Sequence, residues 1–227
     1  LHLTAVAHCQ NRDFELALPL FDRVIRLKPD FADAWNNLGK AFKSLDRNDE
    51  AEQAFVRATE LAPKMAEAWT NLGRMKRRAG ATDESIALYR KALEAGSGDA
   101  EAHHFLGVTL KDAGRGEEAI AEYRKALELK PDYADAFNNL AAALRDGGDL
   151  KGAIETYEQA VAIKPDFAAA LTNLGNALQE AGRIDEAIRR HREALALQPE
   201  LAEAHNNLGA LFMAEELSEE AIECFEA

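Results

Sequence analysis

An asparagine recurs at a spacing of 34 residues along most of this chain. We call these residues the asparagine column, and its members are Asn37, Asn71, Asn139, Asn173 and Asn207. Phe105 occupies the remaining position of the series, between Asn71 and Asn139. A carboxamide carries both a hydrogen-bond donor and an acceptor, so it can pair with a ligand's backbone amide whatever the ligand's side chains are. Such a ladder suits an extended peptide. The structural alternative is that each asparagine bonds to a neighbouring unit of the chain.

Basic residues accompany this column between residues 32 and 99. The basic stripe, as we call it, consists of Lys40, Lys43, Arg74, Arg77 and Arg78. It predicts a partner segment that is acidic or phosphorylated there. Further along, the same surface is expected to be apolar, with Phe105, Val108, Ala142, Ala210, Met213 and Ala214. The alternative is an ordinary solvated run of charges. Binding through the stripe should weaken as ionic strength rises.

The sequence offers no catalytic constellation. It contains no phosphate-binding glycine-rich loop, no clustered metal ligands, and no nucleophile with a base at a plausible spacing. His103 and His104 are adjacent, and neighbouring helical residues point about 100° apart, so the pair is poorly suited to chelate one ion. His191 and His205 stand where other units carry aromatic residues, which predicts packing roles. We therefore expect no catalytic residue, no metal and no cofactor, and the chain is not predicted to be an enzyme.

Charge and composition narrow the partners. The 227 residues carry a net charge of -13, which disfavours binding to a nucleic acid backbone. No apolar run approaches the length of a membrane span, so no membrane is expected as a partner. Cys9 and Cys224 lie near opposite ends, which predicts free thiols and fits a cytoplasmic location. Because the chain starts at Leu1 without a methionine, its natural start is expected to lie further upstream.

The elements that must position these residues are set by an internal repeat. The tetrapeptide Asn-Asn-Leu-Gly, or a close relative, recurs in phase at 36–39, 70–73, 104–107, 138–141, 172–175 and 206–209. A fixed period of this length predicts a stacked array of supersecondary units. Within one unit, two apolar stripes at helical spacing predict two helices. The first stripe contains Trp35, Leu38 and Phe42, and the second contains Ala51, Phe55 and Ala58.

This window carries a family resemblance. Its residues follow the spacing W-x-x-L-G-x-x-F, then A-x-x-x-F, then P, with Trp35, Leu38, Gly39, Phe42, Ala51, Phe55 and Pro63. The pattern and its period resemble the tetratricopeptide repeat. The resemblance implies an all-α fold, a right-handed superhelical solenoid of antiparallel helix pairs. It also implies that the first helix of each pair lines a concave binding groove.

The repeat predicts a single array over residues 1–227. We expect a partial unit at 1–31, full units at 32–65, 66–99, 100–133, 134–167 and 168–201, and a truncated unit at 202–227. A glycine column suits the left-handed residue that ends each first helix, with Gly80, Gly114, Gly148 and Gly182. Three aspartates follow prolines and are predicted to cap the next first helix, namely Asp30, Asp132 and Asp166.

Two segments depart from the pattern. The usual proline turn is replaced by Gly-Ser-Gly-Asp at 96–99, which favours either a flexible joint or a longer rigid turn. The last unit is acidic and stops within its second helix, without the polar capping helix that terminal units normally need. We therefore expect the chain to continue in a larger protein or to associate end to end with another chain.

The predicted function is that of a protein-interaction scaffold. Its groove would bind an extended peptide through the asparagine column, the basic stripe and Phe105. The asparagine column is also similar to the asparagine ladder in the superhelical repeat domain of O-linked N-acetylglucosamine transferases. That resemblance implies an alternative, in which the chain is the substrate-recognition region of a larger glycosyltransferase. A nucleotide-sugar transferase domain beyond Ala227 would favour the alternative.

Overall fold

The computed structural model of the protein describes residues 1–96, 99–214 and 224. All regular elements in this described part are α-helices, and no strand occurs there. The predicted all-α class is confirmed, as a repeat array of antiparallel helix pairs. The chain divides into two compact units, which we call unit 1, Leu1–Ala113, and unit 2, Gly114–Ala227.

Unit 1 contains three helix pairs and one further helix. The helices are α1 (His2–Gln10), α2 (Phe14–Leu27), α3 (Ala32–Ser44), α4 (Asn48–Leu61), α5 (Ala66–Arg78), α6 (Thr82–Ala95) and α7 (Ala100–Asp112). Each first helix packs against the second helix that follows it, and each second helix also packs against the next first helix. Adjacent first helices therefore lie side by side and form one face of the unit, the first-helix face.

Unit 2 repeats this arrangement, beginning with a second helix. Its described helices are α8 (Gly116–Leu129), α9 (Ala134–Asp146), α10 (Leu150–Ile163), α11 (Ala168–Glu180), α12 (Ile184–Leu197) and α13 (Ala202–Ala214). Helices α9, α11 and α13 are the first helices, and they form the first-helix face of this unit. From α3 onward, first helices begin every 34 residues in both units, at the spacing that the repeat predicts.

A column of ring side chains on the second helices fills the core. In unit 1 these are Phe21, Phe55 and Tyr89, and in unit 2 they are Tyr123, Tyr157 and His191, and each is essentially inaccessible to solvent. A glycine on the first helix faces each of three of these rings. A Cβ atom on Gly39 would lie 2.7 Å from the Phe55 ring, and one on Gly73 would lie 3.0 Å from Tyr89. The two helices pack this closely only because the glycines have no side chain.

The turn from first to second helix uses one backbone conformation throughout. Positive φ angles of 73° to 87° occur at Gly80, Gly114, Gly148 and Gly182, which confirms the glycine column. Arg12 and Asp46 occupy the same position in the earlier repeats, with φ angles of 65° and 58°. The backbone of these two residues adopts a left-handed conformation that is unfavourable for L-residues. The packing of the helix pair therefore imposes the turn even without glycine.

The predicted aspartate caps are wrong. The first helices that follow Asp30, Asp132 and Asp166 begin one residue later than a cap at those positions requires. The capping position belongs instead to Phe31, Tyr133 and Phe167, none of which accepts a side-chain cap bond. Phe31 packs against the core of unit 1, which fixes where its helix starts. Asp99 is the aspartate that does cap a first helix, since its carboxylate accepts from the backbone of Glu101 and Ala102.

Two predicted features involve residues that the structure does not describe. The departure at 96–99 includes Ser97 and Gly98, and the acidic end of the last unit spans 215–223 and 225–227. Residues 97 and 98 and these residues of the last unit lie outside the described part, so the joint and the uncapped end stay predictions. Within the described part, no helix is both long enough and apolar enough to cross a membrane.

Candidate peptide-binding surface

The asparagine column lies on the first helices α3, α5, α9, α11 and α13. Asn71 is nearly buried, with 8% of its surface exposed, and the other four members are half-buried. Their positions on these helices follow from the repeat, because the residue directly before each buried leucine of the Asn-Asn-Leu-Gly segment faces the neighbouring first helix. The column is thus part of the seam between adjacent first helices within each unit.

Asparagine side chains bond to one another across this seam. Asn71 Nδ2 donates to Asn36 Oδ1 at 3.0 Å in unit 1, and Asn173 Nδ2 donates to Asn138 Oδ1 at the same distance in unit 2. The repeat offers a threonine, Thr172, where the partner of Asn207 would stand.

Asn207 Nδ2 donates instead to Asn176 Oδ1, at 2.7 Å. The structural alternative for the column is therefore observed for Asn71, Asn173 and Asn207. For Asn71 and Asn173, the partner that sequence reasoning missed is the first asparagine of the preceding Asn-Asn pair. The two adjacent asparagines in the sequence were the signal for this partner.

These bonds leave part of each carboxamide for a ligand. Each one uses a single hydrogen of the donor's amide group and leaves the other hydrogen and the side-chain oxygen out of the bond. The bond also fixes the plane of the carboxamide. Half-buried, oriented amides of this kind are suited to pair with a peptide backbone, and Asn173 and Asn207 combine both properties.

The basic stripe divides into paired and unpaired members. Lys40 Nζ bonds to Glu67 Oε1 at 2.8 Å, which ties α3 to α5. Arg77 Nη1 lies 3.2 Å from Asp112 Oδ2, which ties α5 to α7. Both of these cations are therefore compensated within unit 1, and they contribute less to an anion site than the sequence alone predicts.

Lys43, Arg74 and Arg78 form no ion pair with any described residue. Lys43 is half-buried, and its pKa is lowered first by burial and then by the positive charges of Arg74 and Arg78. Glu101 opposes this effect and raises the pKa of Lys43. The three cations are thus close enough to repel one another, and one nearby carboxylate offsets them in part.

Phe105, which interrupts the asparagine column, supports one of these cations. The Arg74 guanidinium lies over the Phe105 ring, with 4.4 Å between its central carbon and the ring centroid. Tyr89 stacks with the same ring at a centroid distance of 6.2 Å. The guanidinium is therefore in cation–π contact with the ring face, a contact that leaves N–H groups of an arginine available to an anion.

The first-helix face of unit 2 is less basic. Asn176 replaces the lysine that the corresponding position carries in unit 1, and its Nδ2 donates to Glu203 Oε1 at 3.4 Å. Arg145 Nη1 lies 3.9 Å from Glu180 Oε1. Ala142 is half-buried there, and Ala210 and Met213 are exposed.

A cavity of about 280 Å³ opens beside the asparagine column in unit 1. Its lining includes Val6, Phe14 and Phe21 from the first helix pair, together with Asn37 and Lys40 from α3. An apolar floor with a carboxamide and an ammonium group beside it can hold an aliphatic or aromatic side chain of a bound peptide.

The described cysteine and histidine side chains form neither a disulfide nor a group of metal ligands. Cys9 and Cys224 form no disulfide in the described part, and burial raises the pKa of Cys9. No group of three or more histidine, cysteine or acidic side chains is arranged there to hold a metal ion. His205 takes over the role of a tryptophan, because its Nε2 bonds to the carbonyl of Pro199 at 2.7 Å. The indole N–H groups of Trp35 and Trp69 donate to the carbonyls of Pro29 and Pro63 at the same register.

The repeat geometry and the family comparison agree. The family profile described as "Tetratricopeptide repeat" matches residues 3–55 and 41–100, and the one described as "TPR repeat" matches 109–146, 142–182 and 175–215. The chain belongs to the tetratricopeptide repeat family. No curated protein is significantly similar to it in sequence.

Solved structures share the fold. MamA from Desulfovibrio magneticus RS-1 is 25% identical, with a TM-score of 0.65 over 71% of this chain and 92% of that one. The Pseudomonas aeruginosa protein pilF is 20% identical, with a TM-score of 0.77 over 85% and 88%. YrrB, described as "a TPR protein with an unusual peptide-binding site", is 21% identical, with a TM-score of 0.67 over 87% and 98%.

Proposed function

We propose that this protein is an interaction scaffold that binds an extended peptide along its first-helix faces. The observation that carries the proposal is the set of half-buried carboxamides held by inter-helix bonds, of which Asn173 on Asn138 is the clearest. A donor that is already oriented loses little conformational freedom when a ligand binds, and this favours affinity. YrrB, which shares the fold, is described as binding peptide.

The proposal assigns different peptide chemistry to the two units. In unit 1 the cations Lys43, Arg74 and Arg78, which have no ion-pair partner among the described residues, favour an acidic segment. In unit 2 the apolar positions Ala210 and Met213 favour an apolar one. The carboxamides recognise the backbone in both units and give register, and the neighbouring side chains give selectivity.

Selection of peptides from a displayed random library on the full chain tests this proposal. Isothermal titration calorimetry then measures the affinity of the selected peptides for the wild type and for the ladder variant, which carries both Asn173→Ala and Asn207→Ala. Each lost backbone hydrogen bond costs about 1 kcal/mol, so we expect affinity to fall about 5-fold per asparagine.

The matched control is Asn138→Ala. It removes the same inter-helix bond as Asn173→Ala and leaves the ladder carboxamide in place. We expect it to lower stability by a similar amount and affinity by less than the ladder variant does. Equal affinities for the wild type and the ladder variant, with both folded by circular dichroism, would show that the column serves packing alone.

A further inference from the structure

Pairs of side chains 35 residues apart connect neighbouring first helices at one repeated register. Arg77 pairs with Asp112 in unit 1, and Arg145 pairs with Glu180 in unit 2. The same register in the preceding repeat of unit 1 holds Lys43 and Arg78. An acid is therefore replaced by an arginine at one position, and a salt bridge becomes a pair of like charges.

Like charges at such a position are unfavourable unless something neutralises them. Lys43 is half-buried, and both Arg74 and Arg78 lower its pKa. No described carboxylate lies within ion-pair distance of any of the three, although Glu101 acts on Lys43 from further away. Among the charges that act on Lys43, the two arginines are opposed by Glu101, so a positive surplus remains at this position.

Arg74 is also oriented for a ligand. Its guanidinium lies on the Phe105 ring at 4.4 Å, and Phe105 is itself stacked with the buried Tyr89. A planar guanidinium held in this way can form two parallel hydrogen bonds to one oxyanion, whereas Lys43 and Arg78 add charge from the neighbouring positions.

The opposite side of Lys43 and Arg78 is acidic. Both residues border a cavity of about 310 Å³ whose lining also includes Asp46, Asp49 and Glu52. Glu52 is bonded to Lys76, at 2.7 Å. Arg74 does not line this cavity, so an anion is expected on the Arg74 and Phe105 side of Lys43 and not within the cavity.

We infer that Lys43, Arg74 and Arg78 form a binding site for a dianionic group, the phosphorylated side chain of a bound peptide. The name anion triad is used for these three residues below. A phosphoryl group carries a charge of about -1.5 to -2 at neutral pH and three acceptor oxygens, so it can engage all three cations at once, whereas a carboxylate has two oxygens and a single charge. The inference deepens the proposed function and rests on it.

The decisive variant is Arg78→Asp. It restores at this register the cation and acid found in the Arg77–Asp112 pair, so the fold should keep or gain stability while the surplus charge disappears. Inorganic phosphate, followed by NMR of the arginine Nε–H signals, is the first probe. We expect shifts of the Arg74 and Arg78 signals in the wild type and at least 10-fold weaker binding in Arg78→Asp.

Arg77→Gln is the matched control, because it removes a cation that is already paired. Phosphate affinity should change less than 2-fold in that variant. Equal phosphate binding in the wild type and Arg78→Asp, or equal shifts of the Arg77 and Arg74 signals, would overturn the anion site. An unchanged or raised urea midpoint for Arg78→Asp keeps a folding defect from explaining the loss.

A second experiment tests whether the phosphoryl group that the triad binds belongs to a peptide. Peptides selected on the full chain are compared with serine, glutamate or phosphoserine at the position nearest Arg74. We expect phosphoserine to bind at least 10-fold more tightly than glutamate, and this preference to vanish in Arg78→Asp. Phosphate binding without any phosphopeptide preference would overturn the assignment to a peptide.

The two proposals fail in different ways. The anion triad is refuted and the scaffold function stands if selected peptides bind through the asparagine column while Arg78→Asp leaves phosphate affinity unchanged. The scaffold function is refuted and an anion site stands if phosphate binds at the triad while the library selection yields no binding peptide.

Discussion

The first-helix faces of units 1 and 2 use the same inter-helix registers for different chemistry. In both units an asparagine donates to an asparagine 35 residues away, in Asn71 to Asn36 and in Asn173 to Asn138. The register with a separation of 27 residues holds Lys40 and Glu67 in unit 1, but Asn176 and Glu203 in unit 2. The helix pair therefore fixes where two side chains meet, and their types decide whether the contact is ionic or neutral.

This comparison shows how a repeat scaffold acquires selectivity. The backbone spacing is constant, so one substitution at a register changes one contact and leaves the packing around it unchanged. Arg78 in unit 1 is such a substitution. Unit 2 has a paired acid, Glu180, at the equivalent place in a later repeat, and it therefore offers no comparable positive surplus there.

The largest effects should come from the core rings and should be equal in the two units. Tyr89→Ala in unit 1 and Tyr157→Ala in unit 2 each remove a fully buried ring, and each should cost about 3–5 kcal/mol of unfolding free energy. Urea denaturation followed by circular dichroism measures both. A loss below about 1 kcal/mol in either unit would contradict the close packing of that ring.

The matched controls are Tyr89→Phe and Tyr157→Phe. Neither buried hydroxyl makes a hydrogen bond of good geometry, although that of Tyr89 lies near Ser85 and Arg77, and burial raises the pKa of each to about 12. Removing an unsatisfied hydroxyl should leave stability unchanged or raise it by up to about 1 kcal/mol. The Phe55 ring at the equivalent position shows that the site accepts phenylalanine.

His191 makes unit 2 sensitive to pH where the equivalent ring of unit 1 is insensitive. Its side chain is fully buried, neither ring nitrogen has a partner, and burial lowers its pKa from 6.5 to about 4. The unfolded chain therefore binds a proton between these values and the folded chain does not. Stability should be complete above pH 6.5 and should fall as the pH drops toward 4.

The variant His191→Phe isolates this contribution. Between pH 7.5 and pH 5 the wild type should lose about 1–2 kcal/mol more unfolding free energy than the variant does. Urea titrations of both proteins at the two pH values give the difference. Parallel losses in both would mean that His191 is protonated in the folded state or finds a partner.

Intermediate effects are expected at the amide seam. Asn36→Ala in unit 1 and Asn138→Ala in unit 2 each leave the donor of the next helix without its acceptor, which should cost about 1–3 kcal/mol when the donor is buried. Because Asn71 is more buried than Asn173, the loss should be larger in unit 1. Thermal denaturation of the two variants decides the order, and a larger loss in unit 2 would reverse the burial argument.

The smallest effects belong to the surface ion pairs. Arg77→Gln in unit 1 and Arg145→Gln in unit 2 each break a partly exposed salt bridge, and each should cost no more than about 1 kcal/mol. The loss should shrink further in 0.5 M salt. A salt-independent loss above about 2 kcal/mol would indicate that the arginine serves packing more than charge pairing.

Much of the fold could be predicted from local patterns. The spacing of Leu38, Phe42 and Phe55 predicts two helices per repeat, and Gly80 predicts the left-handed turn between them, as observed. The start of each first helix was harder to place. Asp30 has the right chemistry for a cap, but Phe31 packs into the core and occupies the capping position. A long-range contact decided against a local preference.

The candidate site was predicted less completely than the fold. The asparagine column was found, but its bonds to Asn36 and Asn138 were not. The basic stripe was found as five cations, although Lys40 and Arg77 are paired with acids on the next helix. The partner in each case lies about one repeat away, where local spacing gives no direct information.

The sequence by itself determined the repeating helix pair, because apolar spacing and glycine placement act within a single repeat. The tertiary structure alone decided which polar groups face each other across neighbouring first helices. Those contacts depend on how far one first helix is shifted along the next, and that shift is set by second-helix side chains such as Phe55, which contacts Gly39 on α3 and clusters with Leu72 and Met75 on α5. The positive surplus at Lys43, Arg74 and Arg78 is a result of that shift.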